Sequence, residues 1–178
     1  MASQLRVDKI VPVDGAPTGG GGGIIQVVST TFTGTWSGSS GSNTFDTITD
    51  LNTTITPKFN TSKIFIMVCI GQWDSNGNDQ RGGLRLLRDS TAICIGDAAS
   101  NRARSTVSTV GSNANTDTNG GTHIHFMDSP ATTSAVTYKL QSMTEGSYTT
   151  YINRSASDAD STTINRTAST MTLMEISV

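Results

Sequence analysis

The chain has 178 residues, a formal net charge of −2 and only 15% charged residues, against about 25% in ordinary soluble domains. The length suits one domain plus an arm and is short for two full cores. The charge balance leaves no basic footprint for nucleic acid or an anionic membrane surface, and no apolar run approaches the roughly 20 residues that span a bilayer. Ser, Thr, Asn and 18 glycines fill the place of the missing charges. Many β-branched threonines together with many turn formers predict an all-β protein with polar, uncharged surfaces. Arg81, Arg85, Arg88, Arg102 and Arg104 make a mildly basic middle section, but Asp79, Asp89 and Asp97 interrupt it, which describes a solvated face.

In chain order, residues 3–13 (SQLRVDKIVPV) alternate like a strand. The five consecutive glycines Gly19 to Gly23 then separate that strand from everything else. A lone strand before a flexible joint has nothing to pair with, so it reads as an arm that docks on another subunit or a larger assembly. Leu5, Val7, Ile10 and Val11 are its apolar anchoring residues. The start, MASQLRVDKI, has neither the basic nor the apolar region of a secretory leader, so export by that route is not expected.

Ile24 to Phe32 (IIQVVSTTF) reads as the first strand of the main domain, and Thr33 to Thr44 as a Gly/Ser loop carrying Trp36. Trp36 is either a lid on the core or an exposed contact. Phe45 to Ile70 organises the rest. Its first half alternates, with Ile48 and Asp50 on the same side. Its second half, Ile64 to Ile70, is apolar at every position and reads as a strand covered on both faces. Pro57 and the Asn60-Thr61-Ser62 cluster place a corner between them.

Gly71 to Gly83 is expected as a long polar loop with Trp73 near its start. Leu84–Arg88 and Thr91–Ile95 form a hairpin about Asp89-Ser90. Residues 97–121 read as a connecting loop or weak edge strands, followed by strands around Ile124–Met127, Val136–Leu140, Tyr148–Asn153 and Ala168–Val178. Eight to ten short strands without a capped helical pattern predict a jelly-roll-like antiparallel β-sandwich. The domains are an arm and linker over 1–23 and a head over 24–178.

Chemistry finds no carrier. General acid–base sites most often need histidine, and the only two are His123 and His125. No GxSxG elbow is present, and the glycine run lacks the Lys-Ser/Thr of a phosphate loop. Asp158 and Asp160 are only faintly like a calcium loop, without its Gly and closing Glu. No enzyme and no cofactor are expected. On a strand, His123 and His125 point the same way, with Ile124 and Phe126 into the core. Three copies on a threefold axis would surround a metal ion with six nitrogens; a single copy simply shows two imidazoles to solvent. Cys69 and Cys94 read as buried reduced thiols, or as a bridge between neighbouring strands. Trp36 and Trp73, with Asp74, Asn76 and Asn78 in the polar loop, are the residues suited to a receptor or glycan, since rings stack on sugars and amides bond hydroxyls.

Several segments match a known pattern: Asp46 to Pro57 (DTITDLNTTITP) with Ser62–Ile64, then Leu86–Asp89, Asp128–Pro130, Thr137–Leu140, Tyr151–Ser155 and Ser169–Ile176 (STMTLMEI). In this order the chain resembles the C-terminal module of tail fibres and related virion fibre proteins of tailed bacteriophages, notably cyanophages. Leu5–Ile10 resembles the short leading segment of such fibres. The resemblance implies a homotrimeric, β-rich virion protein that contacts the host surface, with no catalytic residues. Its partners would be itself, other virion proteins through the arm, and a host-surface glycan or protein. A head-fibre or capsid-decorating protein is the alternative address. A secreted carbohydrate-binding lectin module is the alternative class.

Overall fold

The computed structural model describes residues 23–39, 44–76, 81–108 and 120–177. Strands are the only regular elements among them. The spine is β4 (Lys63–Ser75), with β1 (Ile24–Phe32), β2 (Trp36–Gly38) and β3 (Asp46–Ile55) preceding it. After it come β5 (Gly82–Arg88), β6 (Thr91–Ile93), β7 (Val107–Ser108), β8 (Gly120–Asp128), β9 (Val136–Thr144), β10 (Thr150–Ile152) and β11 (Ser169–Ile176).

Two antiparallel sheets face each other. In the first, β11 pairs with Lys63–Cys69 of β4 and β10 with Trp73–Ser75, so both lie along one edge of β4. β8 holds the other edge; β1 flanks β11, and β2 flanks β10. The second sheet runs β3-β9-β5, with β6 and β7 both on the far edge of β5. Reduced to lanes, the sheets read β1-β11-β4-β8 and β3-β9-β5-β6. Early and late strands interleave in both, which is the two-Greek-key order of a jelly roll. The expected sandwich is the observed one.

Between the sheets, Ile64, Ile66, Val68 and Ile70 of β4 project inward and are essentially solvent-free. They meet Ile48, Leu51, Leu84, Leu86, Tyr138 and Leu140 of the other sheet within one core cluster. Full burial of each such side chain contributes about 1.5–3 kcal/mol. The alternation expected through Ile48 and Asp50 is broken. Pairing jumps from Thr47↔Gln141 to Asn52↔Lys139, so the extra residues on β3 bulge out. Asn52 Nδ2 closes the bulge on the Thr49 carbonyl at 2.6 Å. The bulge resets the side-chain parity, so Ile48 and Leu51 are both buried while Asp50 is exposed.

The corner at Pro57 is tied to the last strand. The buried Glu175 Oε1 accepts from the Lys58 amide at 2.6 Å. A second brace joins the sheets: Tyr138 Oη donates to Asp128 Oδ2 at 2.7 Å, and Arg88 NH1 meets both Asp128 oxygens at 3.0 Å. Burial, with Asp128 beside it, holds the Tyr138 phenol protonated far above the usual tyrosine range. Cys69 lies in the first sheet and Cys94 beyond β6 of the second, both as free thiols.

The expected loop from Gly71 is shorter than predicted, because β4 continues to Ser75. Polar residues sustain a buried strand there because backbone groups answer them. The Gln72 carbonyl accepts from the Asn153 amide at 2.9 Å, and Asp74 Oδ2 accepts from the Ala156 amide at 2.7 Å.

Candidate functional site

The antiparallel register sorts the sandwich into two ends. At one end β1 begins and β11 finishes, beside the Pro57 corner. At the other, far end lie residues 33–35, 145–149 and 153–168. The last of these is the most built. Because β10 and β11 share one edge of β4, residues 153–168 are looped out between them. Asn153 pins their root in a left-handed conformation, φ 64°, which asparagine tolerates better than most residues. Its Nδ2 donates to the carbonyls of Phe32 and Gly34 at 2.9 Å each, and its Oδ1 accepts from Ser169 Oγ at 2.6 Å. One buried side chain thus ties the β1–β2 break to both strands around the loop.

The loop carries two open polar hollows. One, of about 210 Å³, is lined by Gln72, Ser155, Thr163, Asn165 and Thr167, with Gly71 behind. At Gly71 a Cβ would strike the Ala168 carbonyl, so the close approach requires glycine. The second, of about 260 Å³, is lined by Asp158, Asp160, Ser161 and Arg166, and Ile164 borders both. Asp158 is engaged by Arg166 at 2.6 Å and Arg154 at 3.4 Å, and Arg154 lies 4.6 Å above the Tyr151 ring. A carboxylate already held by two guanidinium groups is a poor calcium ligand. No cluster of three or more metal-ligating side chains exists among the described residues.

The residues singled out for receptor contact separate. Trp36 and Trp73 are 8% and 7% exposed, and both belong to the core. β10 runs between β2 and β4, so Ile152 pairs with Trp36 on one side and Trp73 on the other. All three share the inward face. The Trp36 ring also lies where a Cβ on Gly38 would stand. Of the two readings of Trp36, the core lid holds. For Trp73 the exposed-contact expectation is corrected. Asp74, 3% exposed, serves the loop amides rather than the surface. Asn76 is exposed and accepts from the Thr149 amide at 2.8 Å. Asn78 and the anchoring residues Leu5, Val7, Ile10 and Val11 lie outside the described residues.

His123 and His125 are exposed on the outward face of β8, with Ile124 buried beneath them. The His125 ring stands 6.1 Å from that of Phe65. The far-end residues Thr163, Asn165 and Ser155 carried no sequence signal beyond loop composition. They become neighbours of Gln72 only because β10 and β11 share an edge.

No family matches this chain, and no curated protein matches it. Solved structures do. That of infectious bursal disease virus, Gt strain, aligns over 99% of this chain and 44% of its own, at 11% identity and a TM-score of 0.44. That of T=1 particles derived from infectious bursal virus aligns over 99% and 42%, at 10% identity and a TM-score of 0.41. The chain therefore spans less than half the length of these structures. Its assignment as a jelly roll rests on its own strand order.

Proposed function

We propose that this chain is a structural virion protein, a tail fibre held to the particle by its N-terminal arm. Its jelly-roll head meets the host surface with the far-end loops, and it works as a homotrimer without catalysis. The observation that carries this reading is the polarity of the sandwich. Residues 1–23 join it at the end where the final strand also finishes, so that end faces the particle. The polar hollows around residues 153–168 then face outward, where loops carry recognition. Their uncharged amides and hydroxyls at Gln72, Thr163 and Asn165, beside the apolar Ile164, suit a neutral sugar ring on a host glycan. Placement on the head as a capsid-decorating fibre would use the same geometry. A lectin module would need the hollows and not the arm.

Imaging of intact particles tests this directly through location, copy number and symmetry. Deleting residues 1–23 should leave a folded head that no longer enters particles. Continued incorporation would overturn the anchoring role, and turnover of a host polysaccharide would overturn the non-catalytic one.

A further inference from the structure

The two hollows of the far-end loop share a partition, made by the last residues of the loop itself. Thr163, Asn165 and Thr167 line the hollow at Gln72, Arg166 lines the other, and Ile164 borders both. Residues 165, 166 and 167 thus alternate between the two. The partition is fixed by its own hydrogen bonds. Ser161 Oγ and Thr163 Oγ1 lie 2.9 Å apart, and the Ile164 amide donates to the Ser161 carbonyl at 3.1 Å. Arg166 Nη2 donates to Asp158 Oδ2 at 2.6 Å, and the Thr167 amide donates to the Asn153 carbonyl at 3.2 Å. Asp160 stands apart from this network. It lines the second hollow, is exposed, and has no hydrogen bond or ion pair among the described residues.

We infer that the two hollows are consecutive subsites for a glycan of at least two neutral sugar units, which straddles Ile164 and gives a pair of adjacent hydroxyls to Asp160 and Arg166. The inference rests on the host-glycan reading of the first hollow and extends it to a second unit. Size favours one ligand across both. The hollows hold about 210 and 260 Å³. Each is below the roughly 300–1,000 Å³ of ordinary ligand sites, whereas together they come within that range. The partition also suits a sugar chain. A pyranose carries hydroxyls around its rim and C–H groups on its face, so Ile164 meets the apolar part while polar groups on either side take the rims. Charge defines the second unit. A carboxylate only accepts and a guanidinium only donates; adjacent hydroxyls answer both, since each can donate and accept. Asp158 is already held by Arg154 and Arg166, which leaves Asp160 as the acceptor. An acidic sugar would set its own carboxylate against that of Asp160, so uronates are excluded. Because the partition is hydrogen-bonded in the free chain, binding spends little on ordering it.

The test is a titration of the full, nitrogen-labelled chain with glucose, galactose, cellobiose, lactose and glucuronate, followed by NMR. Cellobiose or lactose should bind at least about tenfold tighter than glucose or galactose, and should move the Arg166 guanidinium together with the side-chain amides of Gln72 and Asn165. The single neutral sugars should move the two amides alone. Asp160→Ala should bring the disaccharides down to the affinity of the single sugars and leave the latter unchanged. Asp50→Ala, at an exposed carboxylate of the β3 bulge, should alter neither. Equal affinity for one and two units, with Gln72 and Asn165 responding, would sink the second subsite and leave the first standing. No response at Gln72 and Asn165 to any of these sugars would overturn the glycan reading itself. A loss in Asp160→Ala shared equally by one and two units would make Asp160 a support of the wall and overturn its role as a contact. Glucuronate binding at Arg166 more tightly than glucose binds would overturn the neutral-sugar assignment.

Discussion

The two outward faces of the sandwich are built to opposite rules. On the second sheet, polar side chains saturate one another: Thr54 with Thr137 at 2.8 Å, Arg85 Nη2 with Gln141 at 2.6 Å, and Gln141 with Thr47 at 3.2 Å. Arg85 also stands 3.9 Å over the Phe45 ring. On the first sheet, a row of Val, Met, Phe and Met stands half-exposed. Cross-strand polar pairs each contribute only about 0.2–1 kcal/mol, so the second face is finished in a single chain and gains little from a partner. The first face gains only by being covered. One outward face is thus closed by polar pairs, while the other leaves an apolar row half-exposed on the opposite side of the same core.

Mutations can break or sharpen this contrast, and urea unfolding reads each of them. The largest effect belongs to neighbours on β4. Ile66→Ala, inward, should cost about 2–5 kcal/mol through lost burial and a residual cavity. Met67→Ala, one residue on and outward, should cost well under that in a dissociated chain. Equal losses would mean the outward face is packed within a single chain. Asn153→Ala should cost about 2–3 kcal/mol, since it removes four side-chain hydrogen bonds at a positive φ; a neutral result would show that the far-end loop is not pinned there.

Arg85→Ala, on the polar face, should cost about 1–2 kcal/mol from its charged hydrogen bonds and ring contact, with no change in solution mass. A change in mass would erase the contrast between the faces. Tyr138 sets an alkaline limit. Its folded pKa is raised, so its contribution is fully present below the unfolded value near 10 and is lost as pH climbs above it. Stability should therefore fall by up to about 1.4 kcal/mol per pH unit there. Tyr138→Phe should flatten that slope, and an unchanged slope would assign it elsewhere. The smallest effect should be of opposite sign. Ser142 Oγ is buried and finds no hydrogen-bond partner among the described residues, so Ser142→Ala should stabilise by about 1 kcal/mol.

Much of the fold could be read from residues, and little of the site. β1 and the β5–β6 hairpin follow from local pattern, as does β9, because alternation and turn chemistry act over a few residues. Trp73 could not be assigned that way. Gly71, Gln72 and Asp74 around it have loop composition, and only the pairing of β10 against β4 makes the segment a buried strand. The hollow at Gln72 and Asn165 escaped for the same reason, since its walls are far apart in sequence.

By itself, then, the sequence determined an all-β chain of short strands and the shared face of His123 and His125. Each is a consequence of a two-residue side-chain period, and periodicity is local. Tertiary structure alone decided that Ile48 and Leu51 both turn inward, that both tryptophans flank Ile152, and that Val27, Met174, Phe65 and Met127 stand in one row. These depend on register between strands distant in the chain, which is set when the two sheets close over their core.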